Sequence, residues 1–179
     1  MSERDSDLVQ ATLNGDSGAF AQLVGRYDRK IYNLALRVTG DPQDAMDATQ
    51  SAFLKAYDHL DDFDPSRRFF SWIYRIGLNE ALGLVRHRTR YVPLEADPPQ
   101  RRADPEQETA GRETGREIRW ALGQLSAEQR AVMVLRHLHG LTYQEMSQVV
   151  GVPVGRVKSR LFAARTRLRQ LLHEKGLCP

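Results

Sequence analysis

The chain carries a single cysteine, Cys178, so no disulfide can form within it. That suits a reducing compartment and argues against the disulfide-stapled secreted scaffolds. No apolar run approaches the ~20 residues that span a bilayer. The opening MSERDSDLVQ is charged from the start, unlike a secretory leader. The expectation is a cytoplasmic protein with no direct membrane insertion. Sustained period-two alternation is absent too, which leaves little room for sheet. His137 and His139 lie two apart in one helical stretch with no cysteine near them, so they read as surface or helix-end residues rather than metal ligands. Asp61, Asp62 and Asp64 form the only dense acidic cluster, and loop solvation explains them. No phosphate-binding glycine loop or nucleophile constellation appears. Nothing calls for an enzyme, a metal or a cofactor.

What is present is helix. Phe20, Leu23, Val24, Tyr27, Ile31, Leu34 and Val38 recur at steps of three and four, ended by Gly40-Asp41-Pro42. A short helix precedes this one and stops at Asn14-Gly15. PQDAMDATQSAFLKAYDHL follows, with Pro42 near its first position, where a missing N–H does no harm. DDFDPSRRFF reads as a loop broken by Pro65, and SWIYRIGLNEALGLVRHRTR as a fourth helix. Residues 93–117 hold four prolines, two glycines and one large aliphatic residue. Such a stretch reads as a flexible linker, with its later part helical from about Pro105. Beyond it, Ser126-x-x-Gln129 and Thr142-x-x-Glu145 match capping boxes, and Gly140 and Gly151-Val152-Pro153 are stop signals. The predicted fold is all-α: two small helical domains, 1–92 and 118–179, joined by the linker 93–117. The C-terminal domain has the layout of a helix-turn-helix.

Charge is distributed unevenly. Residues 1–92 hold 12 basic and 13 acidic groups, residues 93–117 hold 4 and 7, and residues 118–179 hold 10 and 3. The last third is therefore the candidate for a polyanion. Its final helix, VGRVKSRLFAARTRLRQLL, carries six cations and no acid. A merely solvated helix would use i,i+4 ion pairs, which this one forgoes. A membrane-surface helix needs bulky anchors, and Phe162 is its one aromatic residue. Binding to DNA fits best. Arg156, Lys158, Ser159 and Phe162 lie early, where a recognition helix meets base edges, and Arg165, Arg167 and Arg169 lie later, where cations meet phosphates.

Phe63, Phe69, Phe70, Trp72 and Tyr74 fall within 12 residues, beside Arg67, Arg68 and Arg75. Arg86, Arg88 and Arg90 follow at the far end of the same helix. Aromatics interleaved with cations suit unstacked single-stranded bases. They equally suit a core. On the residues alone Trp72 and Ile73 read as core, while Phe69, Arg67 and Arg68 fit either reading.

Taken together, GDSGAFAQLVGRYDRKIYNLALRVTGD, DAMDATQSAFLKAY, FFSWIYRIGLNEAL and LTYQEMSQVVGVPVGRVKSRL, in this order and with a proline-rich linker between, resemble an extracytoplasmic-function (ECF) sigma factor of bacterial RNA polymerase. The resemblance covers residues 6–90 and 118–172. It implies an alternative sigma factor that binds core polymerase through the β′ and β subunits, recognises −35 and −10 promoter elements and initiates transcription. Asp44, Asp47, Gln50 and Phe53 would dock on β′. Phe63, Arg67, Arg68, Phe69, Trp72, Asn79, Arg86 and Arg88 would serve −10 recognition and melting. Lys158, Ser159 and Phe162, with Arg156, Arg160 and Arg165, would serve the −35 element. An anti-sigma factor is an implied partner. Met46 stands where similar proteins usually have an acid, and Ala163 where they often have arginine. The alternative is a stand-alone helix-turn-helix regulator, which would leave the aromatic loop and the acidic DAMDAT helix without a task.

Overall fold

The computed structural model describes residues 4–91 and 112–176; most of the predicted linker, and Cys178, lie outside the described residues. Among the described residues there are eight α-helices and no strand. In the first domain these are α1 (Asp5–Leu13), α2 (Ser17–Thr39), α3 (Pro42–Asp58) and α4 (Phe69–Tyr91), with a 3₁₀ turn at Leu60–Asp62. In the second they are α5 (Arg112–Gly123), α6 (Ala127–His137), α7 (Tyr143–Val150) and α8 (Val154–Glu174). Helix α5 begins six residues before the expected end of the linker. Ala121 and Leu125 are buried on the second domain, and that anchorage draws the preceding charged turn into helix.

Local signals set the ends. The Asp16 carboxylate accepts from the backbone N–H of Gly18 and Ala19 and so starts α2. Asp41 does the same for α3, accepting from Gln43 and Asp44, with Pro42 at the first turn. Both predicted capping boxes are formed, at Ser126–Gln129 and Thr142–Glu145. Gly151 ends α7 with φ 72°, a left-handed conformation that favours glycine.

In the first domain α2, α3 and α4 pack on one another, with α1 against α2. Ala45, Ala48, Ala52 and Ala56 give α3 a stripe of small residues, which lets its neighbours come close. Leu23, Ile31, Leu34 and Val38 of α2 and Ile73, Leu78 and Ala81 of α4 fill the centre. Gly77 is the closest point: a Cβ there would stand 2.7 Å from Ile31 Cγ2. Asp5 anchors α1 by accepting from the Arg26 guanidinium at 2.8 Å and from the Tyr27 hydroxyl.

The second core joins Val132, Leu135, Leu141, Met146 and Val149 to the inner stripe of α8, Val157, Leu161, Ala164 and Leu171. The two domains touch: α6 lies on α2 and α7 on α4. Arg130, 7% exposed, donates to Leu122 O, Gly123 O and Leu125 O within its own domain and, at 2.6 Å, to Val38 O across the boundary. Four carbonyl partners meet the desolvation cost of that guanidinium. Tyr74 Oη lies 2.9 Å from His139 Nδ1, and Arg68 pairs with Glu145 at 3.1 Å. His139, just past the end of α6 as expected of a helix-end residue, is half-buried at this contact. Burial holds it below the usual histidine range, with Arg37 and Lys30 adding to the effect.

Candidate nucleic-acid interface

The hydrophobic stripe of α8 faces inward, so the rest of the helix faces solvent. Arg156, Lys158, Ser159, Phe162 and Arg165 are all exposed, and Arg160 is half-buried. Phe162 is 73% exposed, although the helix has four buried apolar positions beside it. An uncovered phenyl ring among cations fits a partner that offers apolar contact and negative charge together, as thymine methyls and phosphates do in a major groove. The Ser159 hydroxyl donates to Gly155 O at 3.0 Å and keeps its lone pairs outward. Arg165 Nη2 stands 3.3 Å from His137 Nε2. Burial lowers the pKa of His137, and Arg165 and Arg136 lower it further, which suits a neutral ring that accepts from Arg165.

A second feature lies on the first domain. A cavity of about 300 Å³ opens between the end of α3, the 3₁₀ turn and α4, lined by Lys55, His59, Asp62, Trp72, Ile76, Asn79 and Glu80. It is a shallow depression, more open than enclosed. Trp72 forms one wall and rests on Phe63 and Phe69, at ring separations of 5.3 and 5.6 Å. Lys55 and Glu80 form an ion pair at 2.7 Å. Aromatic wall, amide and cation are the groups that hold an unstacked base. No group of metal-ligand type occurs among the described residues.

Both domains match known family models. A family model described as Sigma-70 region 2 matches residues 23–91, and one described as Sigma-70, region 4 matches residues 115–168. The ECF RNA polymerase sigma factor SigW of Bacillus subtilis is 32% identical, over 93% of this chain and 95% of that protein. The chain belongs to the ECF sigma factors.

Solved structures of similar shape include two complexes. CnrH in complex with the cytosolic domain of CnrY matches with a TM-score of 0.73 and 31% identity, covering 96% of this chain and 99% of that one. The sigma factor RpoE of Bartonella quintana, in complex with the anti-sigma factor NepR, matches with a TM-score of 0.66 and 26% identity, covering 86% and 96%. Promoter recognition is the function of this sigma factor.

Within the sigma factor, several expected contact residues are buried or paired within the chain. Phe69 is 2% exposed and Phe63 is also buried; they pack with Tyr27 and Trp72 and present no free ring face. Phe53 is buried because it shares the inner face of α3 with Thr49 and Ala56. Arg88 turns back to lie 3.0 Å from Asp44 Oδ2 and donates to Thr39 O at 2.9 Å, so it ties α4 to the α2–α3 corner. Asp44 is occupied by that pair. Arg68 is engaged with Glu145, whereas Arg67 pairs only with nearby Asp64 in the exposed loop. Burial pushes the Tyr74 hydroxyl up to about 12. Arg86, Asn79, Asp47 and Gln50 remain exposed. The sequence reading missed Lys55, His59, Asp62 and Glu80 at the cavity, and Leu54 and Tyr57, which share one exposed face of α3 with Met46 and Gln50. Leu54 is 66% exposed. Its place in a helix, next to a buried Phe53, was the available signal.

Proposed function

We propose that this sigma factor joins core RNA polymerase through the exposed face of α3, reads duplex −35 DNA with α8, and captures an unpaired −10 base in the cavity beside Asn79. The observation that carries the reading is the outer face of α8, where Arg156, Lys158, Phe162 and Arg165 stand in solvent on a helix with no acid before Glu174. Lys158, Ser159 and Phe162 face base edges, and Arg156, Arg160 and Arg165 supply phosphate contacts and salt-dependent affinity. On the first domain Asn79 and Trp72 receive the flipped base, and Arg67 and Arg86 hold the strand beside it. Unstacking and unpairing cost free energy; capture of the released base offsets that cost and makes melting selective.

Core binding is assigned to Asp47 and Gln50, supported by Met46, Leu54 and Tyr57, with β′ and β as the receiving subunits. Arg68 and Arg88 take part in −10 binding only after leaving Glu145 and Asp44. Phe63 and Phe69 act by holding Trp72. The chain works by binding and melting, not as an enzyme, and needs no cofactor. It acts in the cytoplasm beside its polymerase. An anti-sigma factor is its regulatory partner, as NepR is for the RpoE protein of similar shape.

The test is runoff transcription from a promoter library with bacterial core polymerase, with and without this chain. Transcripts that depend on the chain and share two spaced elements are expected. A chain that binds duplex DNA but neither binds core nor yields transcripts would instead be a stand-alone regulator.

A further inference from the structure

Helix α7 begins at Tyr143, and its first turn is fixed from both sides. Thr142 Oγ1 accepts from the Glu145 N–H at 3.2 Å, while the Glu145 carboxylate accepts from Thr142 N at 2.9 Å and from its hydroxyl at 2.8 Å. The ring of Tyr143 is half-buried against the domain core. Two cations lie over it: Arg136 Cζ at 5.0 Å and Lys158 Nζ at 5.4 Å from its centroid. Arg136 is held a second time, because its Nη1 donates to Leu141 O at 2.7 Å. Lys158 has no second anchor. Among the described residues no carboxylate pairs with it, and the Tyr143 ring is its one partner.

We infer that Tyr143 is a positioning residue for base reading: its ring holds the Lys158 ammonium in register with the major groove, so that sequence preference at one −35 base pair depends on the aromatic face and not on the hydroxyl. The inference rests on the assignment of Lys158 to base reading. A lysine stem is free to rotate, and ordering it on contact with DNA lowers affinity. An ammonium already attracted to a ring face is ordered beforehand. The ring takes up none of its three N–H donors, which stay available for the O6 and N7 acceptors of guanine. An aliphatic side chain at 143 would keep the packing but lose the attraction.

The experiment measures holoenzyme binding to promoter duplexes randomised across the −35 element, for the wild type, Lys158→Ala, Tyr143→Phe, Tyr143→Leu and the double variant Tyr143→Leu/Lys158→Ala. Lys158→Ala first identifies the base pair that Lys158 reads. At that pair Tyr143→Leu is expected to reduce preference about two- to fivefold, the range of an exposed cation–ring contact. Tyr143→Phe should retain it, preferences at other pairs should hold, and the salt slope of Tyr143→Leu should match the wild type, because no phosphate contact is removed. In the Lys158→Ala background the leucine should add nothing at that pair. Uniform weakening on every sequence by Tyr143→Leu would overturn the inference in favour of a structural role. Equal damage by phenylalanine and leucine would overturn it in favour of a hydroxyl contact. A uniform loss with a shallower salt slope for Lys158→Ala would remove the base-reading assignment itself, while transcription from the library would still stand.

Discussion

Phe69 and Phe162 are the same residue among similar neighbours, yet one is 2% exposed and the other 73%. Both sit beside arginines in stretches that read as nucleic-acid contacts. The difference lies in what else each helix offers its core. Helix α8 already presents Val157, Leu161, Ala164 and Leu171 inward, so Phe162 is surplus to packing. At the start of α4 the aromatics are themselves the core, because Phe69 packs on Tyr27 of α2, on Phe63 and on Trp72. An aromatic among cations marks a contact surface only where the apolar stripe is complete without it.

The widest separation between the two rings should be in stability. Phe69→Ala is expected to cost about 3–5 kcal/mol by denaturant unfolding. Phe162→Ala should stay within about 0.5 kcal/mol of wild type and lose promoter binding instead. Similar costs for the two would break the comparison. Next in size, Lys158→Ala should lose about 1–3 kcal/mol of discrimination at one −35 base pair in duplex binding assays. Asn79→Ala should slow open-complex formation on the order of tenfold, about 1.4 kcal/mol, with little change in initial duplex binding. An equal loss in both steps would remove Asn79 from strand capture. Among the arginines, Arg88→Ala should cost the first domain about 1 kcal/mol, since the ion pair with Asp44 is partly exposed. Arg165→Ala should leave stability alone and reduce the salt slope of DNA binding by about one.

The smallest expected effect is the pH dependence of the contact between the domains. His139 is held neutral at Tyr74, with Lys30 and Arg37 opposing its protonation. Its folded pKa lies below the ordinary 6.5, so its contribution is complete above that pH. It is lost as pH falls through the lowered value. Interdomain fluorescence transfer should therefore decrease on acidification below about 6.5, and His139→Gln should flatten the curve.

Helices α6, α7 and α8 were legible because periodicity, charge and capping boxes each act within one element. Thr142–Glu145 and Ser126–Gln129 are local pairs three residues apart, and both are formed as read. The cavity was not legible. Lys55 and His59 come from the end of α3, Asp62 from the 3₁₀ turn and Trp72, Asn79 and Glu80 from α4, and only the packing of those elements brings them together. Arg130 shows the same limit. Its partner across the domain boundary is a backbone carbonyl 92 residues away, which no side-chain pattern announces. Arg88 looked like the middle one of three alternating arginines, but its register on α4 turns it toward Asp44 and Thr39 instead.

Gly77 leaves no room for even a methyl group between α4 and α2, and it precedes Asn79 by two residues. The separation of α4 from α2 is therefore set by a position where substitution means collision. Lys55, His59, Glu80 and the other lining side chains can be exchanged without moving the backbone that carries them. Variation at this site thus has two separate grammars. The chemistry of the lining can drift one residue at a time, whereas the seating of α4 on α2 stays fixed for as long as residue 77 is glycine.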